Sequence, residues 1–143
     1  MRGADSIFDG ADLRNLRAEG AWLERASFKE VTGDDSVWER ARLAGSSFFR
    51  ASLRESSFLK ARCEDANFSE SDLTSARLQK ARLSAATLLR ANLMEAKLDR
   101  AVLDRADLRG ANLHAASLHR TSLKDTKLDG ALTTSSDLDR RQG

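Results

Sequence analysis

From Ser6 onward the chain repeats one pattern every five residues: a small residue, a variable one, a large apolar one, and two that are mostly polar. Cutting at every fifth position gives SIFDG, ADLRN, LRAEG, AWLER and ASFKE, and later AKLDR, AVLDR, ADLRG, ANLHA and ASLHR, without a slip of register. On an α-helix five residues advance about 140° past a full turn, so leucines at this spacing would spiral round every side and leave no apolar face. In an extended segment residues two apart point the same way, which puts the small first and large third residues of each unit on one side. The pattern therefore predicts a short strand and a corner in every unit, with the second, fourth and fifth residues free to face water.

A strand this short cannot bury its leucine alone, so successive units must wind about an axis and stack coil on coil. Phe8, Phe28, Phe48 and Phe68 occupy the large position at twenty-residue steps. Four units per coil would bring these rings into one column at about 4.8 Å and give a square cross-section. Two units exchange large and small: LRAEG has Leu16 first and Ala18 third, and VTGDD has Val31 first and Gly33 third. Cores tolerate exchanges that conserve volume. Trp38, the largest third-position residue, is expected to fill the space left by Ala18 and Gly33.

The units ADLRN, ADLRG and ANLHA resemble the pentapeptide-repeat family, whose pattern is Ala, Asp or Asn, Leu and two variable residues. The resemblance covers about residues 6–140 and implies an all-β fold, a right-handed quadrilateral β-helix of about seven coils of four repeats. It also implies no hydrolytic or redox site, and a tendency to pair end to end through a terminal coil. The expected organisation is a single solenoid domain over 1–143 with a short polar tail at 141–143. Ala18, Gly33, Trp38, Cys63 and Thr133 depart from the third-position Leu. ALTTSSDLDRRQG offers no helix long enough to cover the last coil, so that end is expected to be polar or to meet another chain.

Composition narrows the partners. Lys and Arg number 24 against 22 Asp and Glu, giving a formal net charge of +2, which excludes a polyanion. The sequence pI of about 9.0 leaves nucleic acid, anionic lipid and acidic proteins open as partners. The single Cys63 cannot form an internal disulfide and points to a reducing compartment. With no signal-like apolar run after Met1-Arg2-Gly3 and no stretch long enough to span a membrane, a cytoplasmic location is expected.

No catalytic chemistry emerges. His114 and His119 stand one unit apart without a carboxylate or thiol to complete a metal set. Cys63 stands where Leu usually stands and reads as a small buried hydrophobe, and first-position Ser replaces Ala on the inner side. No Ser-His-Asp set, P-loop or dinucleotide fingerprint is present. The chain reads as a non-enzyme without catalytic, cofactor or metal residues and without a cofactor.

With a twenty-residue coil every outward position belongs to a column. Units starting at 16, 36, 56, 76, 96, 116 and 136 carry nine cations against five anions, whereas the preceding column of units holds two cations, Arg14 and Arg54, against six anions. Arg40, Lys60, Lys80, Arg100, Arg120 and Arg140 fall in one fifth-position column, and Arg42, Arg62 and Arg82 run beside it round the corner. Together they predict a basic ridge. Phe49 and Leu89, two coils apart in one outward column, form a candidate apolar patch. The leading expectation is a rigid scaffold or adaptor for a protein partner, able to serve as a module of a larger assembly. The alternatives are a DNA-mimicking protein that protects or inhibits type II topoisomerases, as the resemblance implies for some relatives, and a binder of nucleic acid or anionic lipid through the ridge. Mimicry calls for acidity round the whole rod, and here acidity is concentrated on one side.

Overall fold

The computed structural model describes the backbone of residues 1–142 and the side chains of residues 1–139. The chain winds into a parallel β-helix. From Arg2 to Asn112 each second-position residue bridges the one twenty residues later, as in the series Ser52, Asp72, Asn92 and Asn112, and four such rows run along the coil stack. The bonding is the same at each level: Leu73 N–H donates to Asn92 O in the next coil at 2.7 Å, and Asp72 N–H donates to Ala51 O in the previous one at 2.9 Å. Buried backbone groups are thereby paired without long strands.

Between rows the chain turns sharply. Ala76 N–H donates to Leu73 O at 3.0 Å, and the intervening fifth residue, Ser75, has φ of +57°. Every fifth position from Asp5 to Ser135 is left-handed in this way, with φ between +54° and +73°, although only five of them are glycine. Positive φ at this place is the requirement of a type II turn. It costs a non-glycine residue about 1–2 kcal/mol, offset in part because the fifth N–H also bonds the next coil, as Ser75 N–H does to Met94 O at 2.9 Å.

The preference for Asp or Asn in second position has a local cause. Their side-chain oxygens accept the N–H two residues on: Asn67 from Ser69 at 2.9 Å, Asn92 from Met94 at 3.1 Å and Asn112 from His114 at 3.0 Å. This Asx geometry fixes the start of the corner.

First and third residues fill the interior as expected, with the central Ala, Leu and Phe positions fully buried. Several inward serines bond the carbonyl three residues back, Ser56 Oγ donating to Leu53 O at 2.7 Å and Ser71 Oγ to Phe68 O at 2.6 Å, while the buried Ser46 Oγ has no partner among the described residues. The Phe column is continuous, with Phe8 and Phe28 at 5.0 Å, Phe28 and Phe48 at 4.7 Å, and Phe48 and Phe68 at 5.1 Å, all stacked. Trp38 and Phe58 insert edge-on from another column, Trp38 lying 5.0 Å from Phe28 and 5.3 Å from Phe48. At Gly33 the nearest neighbours are Leu53 and Ser36. A Cβ there would meet Leu53 Cδ2 at 3.0 Å and Ser36 Oγ at 3.4 Å, and Trp38 Nε1 donates to that same Ser36 Oγ at 2.7 Å.

Both ends differ from the expected boundaries. The array starts before residue 6: Arg2 bridges Trp22, and Ser6 N–H donates to Gly3 O at 2.9 Å, so MRGAD is already a unit. At the other end the repeat stops short of residue 140. Helix α1, Asp137–Gln142, replaces it, with Ser136 Oγ accepting Asp139 N–H at 3.4 Å at its start and acidic residues in its first turn facing the positive end of the helix dipole. Leu138 of α1 is buried against the core, and Asp137 Oδ2 accepts Leu118 N–H at 2.6 Å. The C-terminal end is therefore partly covered, contrary to expectation. The first coil is open, with Phe8, Leu13 and Leu16 only partly buried, and the last full coil is similar, with Leu123 and Leu128 partly buried.

Candidate interaction ridge

The stacking places the candidate cations by simple geometry. Arg40, Lys60, Lys80, Arg100 and Arg120 all sit at left-handed corners, one per coil and all exposed. Two residues further along the chain, Arg42, Arg62 and Arg82 are direct bridge partners. Parallel pairing sets the pitch of both rows at about 4.8 Å. Arg140 does not continue the row: it belongs to α1, and its side chain lies outside the described residues.

Ion pairs are more frequent among the arginines elsewhere on the surface than on this ridge. Elsewhere Arg14 meets Asp12 at 2.7 Å, Arg17 meets Glu19 at 2.9 Å, Arg25 meets Asp5 at 2.9 Å and Arg109 meets Asp107 at 2.7 Å. Arg54 reaches Asp72 at 3.6 Å, and Arg50 and Arg90 share Glu70 at 3.6 and 3.3 Å. Among the described residues of the ridge only Arg42 is held, by Glu24 at 3.3 Å. Among the described residues, Arg40, Lys60, Arg62, Lys80, Arg82, Arg100 and Arg120 have no carboxylate within 4.0 Å. Surface pairs contribute little to stability, so what matters here is an uncompensated field. Neighbouring cations at this pitch repel by somewhat under ~1 kcal/mol each in water before screening.

The N-terminal end of the second row holds a feature that sequence reasoning missed. Arg2 and Arg42 lie over the two faces of Trp22, at 4.2 and 4.4 Å from its ring. Its signal was present, since Arg2 and Arg42 stand twenty residues to either side of Trp22. Cation–π contacts of this kind fix the indole and occupy both of its stacking surfaces.

The Phe49 and Leu89 pair is half-buried. Phe49 lies under the Arg50 guanidinium at 5.2 Å, and Ser69, between the two in their column, is buried. Among the described residues the exposed large apolar side chains are Met1, Ile7, Trp22 and Leu132.

Electrostatic shifts trace local contacts. The Arg14 guanidinium, hydrogen-bonded to Asp12, lowers that carboxyl to about 2, and Arg109 holds Asp107 below the usual carboxylate range in the same way. Burial pushes the Cys63 thiol up, which removes it from nucleophilic chemistry at neutral pH. His114 Nδ1 lies 2.9 Å from Thr134 Oγ1. Among the described residues no group of three or more His, Cys, Asp or Glu is placed to hold a metal ion, and no helix is long and apolar enough to cross a membrane.

Comparison with known proteins agrees with the coil architecture. The chain matches the pentapeptide repeats, in eight copies, over residues 46–84, 76–114 and 91–130. No curated protein matches it in sequence. Among solved structures it is similar to a trypsin-treated variant of QnrB1, a plasmid-mediated fluoroquinolone resistance protein, with 16% identity over 98% of this chain and 84% of that one and a TM-score of 0.53. It is also similar to a pentapeptide repeat protein from the Arabidopsis thaliana thylakoid lumen, with 28% identity over 73% of this chain and 66% of that one and a TM-score of 0.47. HetL, a pentapeptide repeat protein involved in heterocyst differentiation regulation in the cyanobacterium Nostoc sp. Strain PCC 7120, has 21% identity over 95% and 84% and a TM-score of 0.36. The likeness to QnrB1 is one of fold.

Proposed function

The chain belongs to the pentapeptide-repeat family, and on that premise we propose that it is a non-enzymatic scaffold: one rigid, right-handed, four-sided β-helix of about seven coils that presents a fixed surface to a protein partner. The observation that carries this reading is the contrast in pairing. Among the described residues most arginines elsewhere on the rod, seven of ten, meet a carboxylate (Arg2, Arg77 and Arg105 do not), while the ridge from Arg40 to Arg120 is left open at every cation but Arg42. A rod with hydrogen bonds at every level fixes the backbone spacing of these cations, so the ordering cost of binding falls on their side chains and not on the backbone.

An acidic protein surface fits the ridge better than nucleic acid does. Single strands are gripped by basic grooves interleaved with free aromatic faces, and the one aromatic beside these cations, Trp22, has both faces covered by Arg2 and Arg42. Mimicry of a DNA duplex is opposed by the same ridge, because it places uncompensated positive charge along one edge. The single buried Cys63 suits a reducing compartment such as the cytoplasm.

The test is affinity capture from the native host with wild type and with the variant K60E/K80E/R100E. The three side chains are exposed, so the fold should survive their reversal. Partners held by the ridge are expected to disappear from the variant's list. Identical lists would leave the ridge as solvated surface and remove this reading.

A further inference from the structure

The ridge is one edge of a strip whose other edge is acidic. In each coil the strip runs from the fifth residue of one unit to the second, fourth and fifth of the next: Asp35, Val37, Glu39 and Arg40; then Glu55, Ser57, Leu59 and Lys60; then Ser75, Arg77, Gln79 and Lys80; then Glu95, Lys97, Asp99 and Arg100. The acidic edge lines an open groove of about 440 Å³ bounded by Asp35, Glu55, Ser75, Arg77, Glu95 and Lys97. Among the described residues, Asp35, Glu55 and Glu95 have no cation within 4.0 Å. One strip thus carries an unneutralised cationic row along one edge and, at three coils on the same pitch, unneutralised carboxylates along the other, with Ser75 between Glu55 and Glu95.

A half-turn about a line parallel to the rod, set over the middle of the strip, keeps each coil at its own height and exchanges the two edges. Asp35 then faces Arg40 of the second copy, Glu55 faces its Lys60, and Glu95 faces its Arg100. Within the strip Arg17 faces the second copy's Glu19, and Lys97 faces its Asp99. No coil sets like charges opposite each other. The reverse arrangement, with rods antiparallel, would bring the cationic edge against itself. Two-fold contacts need this kind of self-complementary patch, and a partner built on the same coil supplies charges at the matching ~4.8 Å pitch.

We infer that this strip is a contact between two copies of the chain, aligned side by side and parallel. The inference rests on the reading of the ridge as a protein-binding surface and names a second copy as what it binds. The strip is about 30 Å long and about 10 Å wide, roughly 300 Å² on each copy, which is below the ~1,000 Å² in total that a stable specific pair buries. The pair is therefore weak and falls apart as salt screens its charges.

The test is sedimentation equilibrium of the full chain over a concentration series in low and high salt. Self-association in low salt that is lost in high salt is expected. Lys60→Glu and Glu55→Lys should each weaken it about tenfold or more, since each puts like charges at two symmetric places. An equimolar mixture of these two variants should associate again, because every Glu then faces a Lys. Ile7→Asp, at the open first coil, should change nothing. A chain that stays monomeric at every concentration in low salt would overturn the inference, as would a mixture that fails to recover. Loss of association in Ile7→Asp would overturn it too, by making the pair end to end. A monomeric chain whose ridge variant still loses captured partners would sink only the pairing and leave the scaffold reading standing.

Discussion

Replacing Phe48 by Leu probes whether the aromatic column stabilises the rod by ring packing or only by volume. Phe48 is fully buried and touches four rings: Phe28 at 4.7 Å, Phe68 at 5.1 Å, Trp38 at 5.3 Å and Phe58 at 5.6 Å. Leucine suits this column, since Leu88 and Leu108 occupy it two and three coils further on and are fully buried. Phe48→Leu therefore keeps most of the apolar burial and removes the ring contacts, each of which contributes about 0.5–1.5 kcal/mol beyond area. Allowing for their non-additivity, the expected loss is about 1–3 kcal/mol. Phe48→Ala should cost about 3–5 kcal/mol, because it adds a cavity. The assay is equilibrium urea unfolding followed both by far-ultraviolet circular dichroism and by tryptophan fluorescence, to which Trp38 contributes from beside the mutated ring. The two signals must coincide before a free energy is extracted, since stacked repeats can lose all-or-none behaviour. A Phe48→Leu change within a few tenths of a kcal/mol would refute the ring-packing argument.

Two further outcomes follow from local geometry. Ala115 has φ of +58°, so Ala115→Gly should relieve left-handed strain and, after the extra freedom given to the unfolded chain, raise stability by about 0.5 kcal/mol; Ala116→Gly, at a buried inward position, should lower it by about 1 kcal/mol. Equal losses in urea unfolding would contradict the assigned corner. Asp12 should titrate near 2 by nuclear magnetic resonance and move back up towards 3.8 in Arg14→Ala; because its folded value is depressed, the Arg14 contact acts above the ordinary carboxylate range and fades as pH falls towards 2, and an unchanged titration in Arg14→Ala would remove Arg14 as the cause.

The coil length was legible because Phe spacing and stacking register are the same quantity: twenty residues separate Phe28 from Phe48, and Ser27 bridges Ser47 beside them. The corners were not. Arg40, Lys60 and Glu55 are not residues that favour positive φ, and each adopts it because bonds to adjacent coils demand it. Helix α1 was hidden by ambiguity, since SDLDR fits the repeat with Ser136 small and Leu138 large and also fits a helix start with Ser at the cap and Asp three residues on. The ridge rows could be counted from sequence. Their lack of counterions could not, because pairing depends on rotamers and reach: Arg54 finds Asp72, whose column lies two positions away, at 3.6 Å, while Arg62, also two positions from a carboxylate-bearing column, finds none among the described residues.

Both the scaffold reading and the pairing of copies stand on a straight row of cations with one member per coil, and its spacing can be measured directly. Spin labels at positions 40 and 120, in a Cys63→Ser background and diluted with unlabelled chain, lie four coils apart. A narrow distribution is expected, centred close to the ~19 Å backbone separation once label length is allowed for. A broad distribution, or one centred beyond about 30 Å, would contradict the stacked register that builds the ridge.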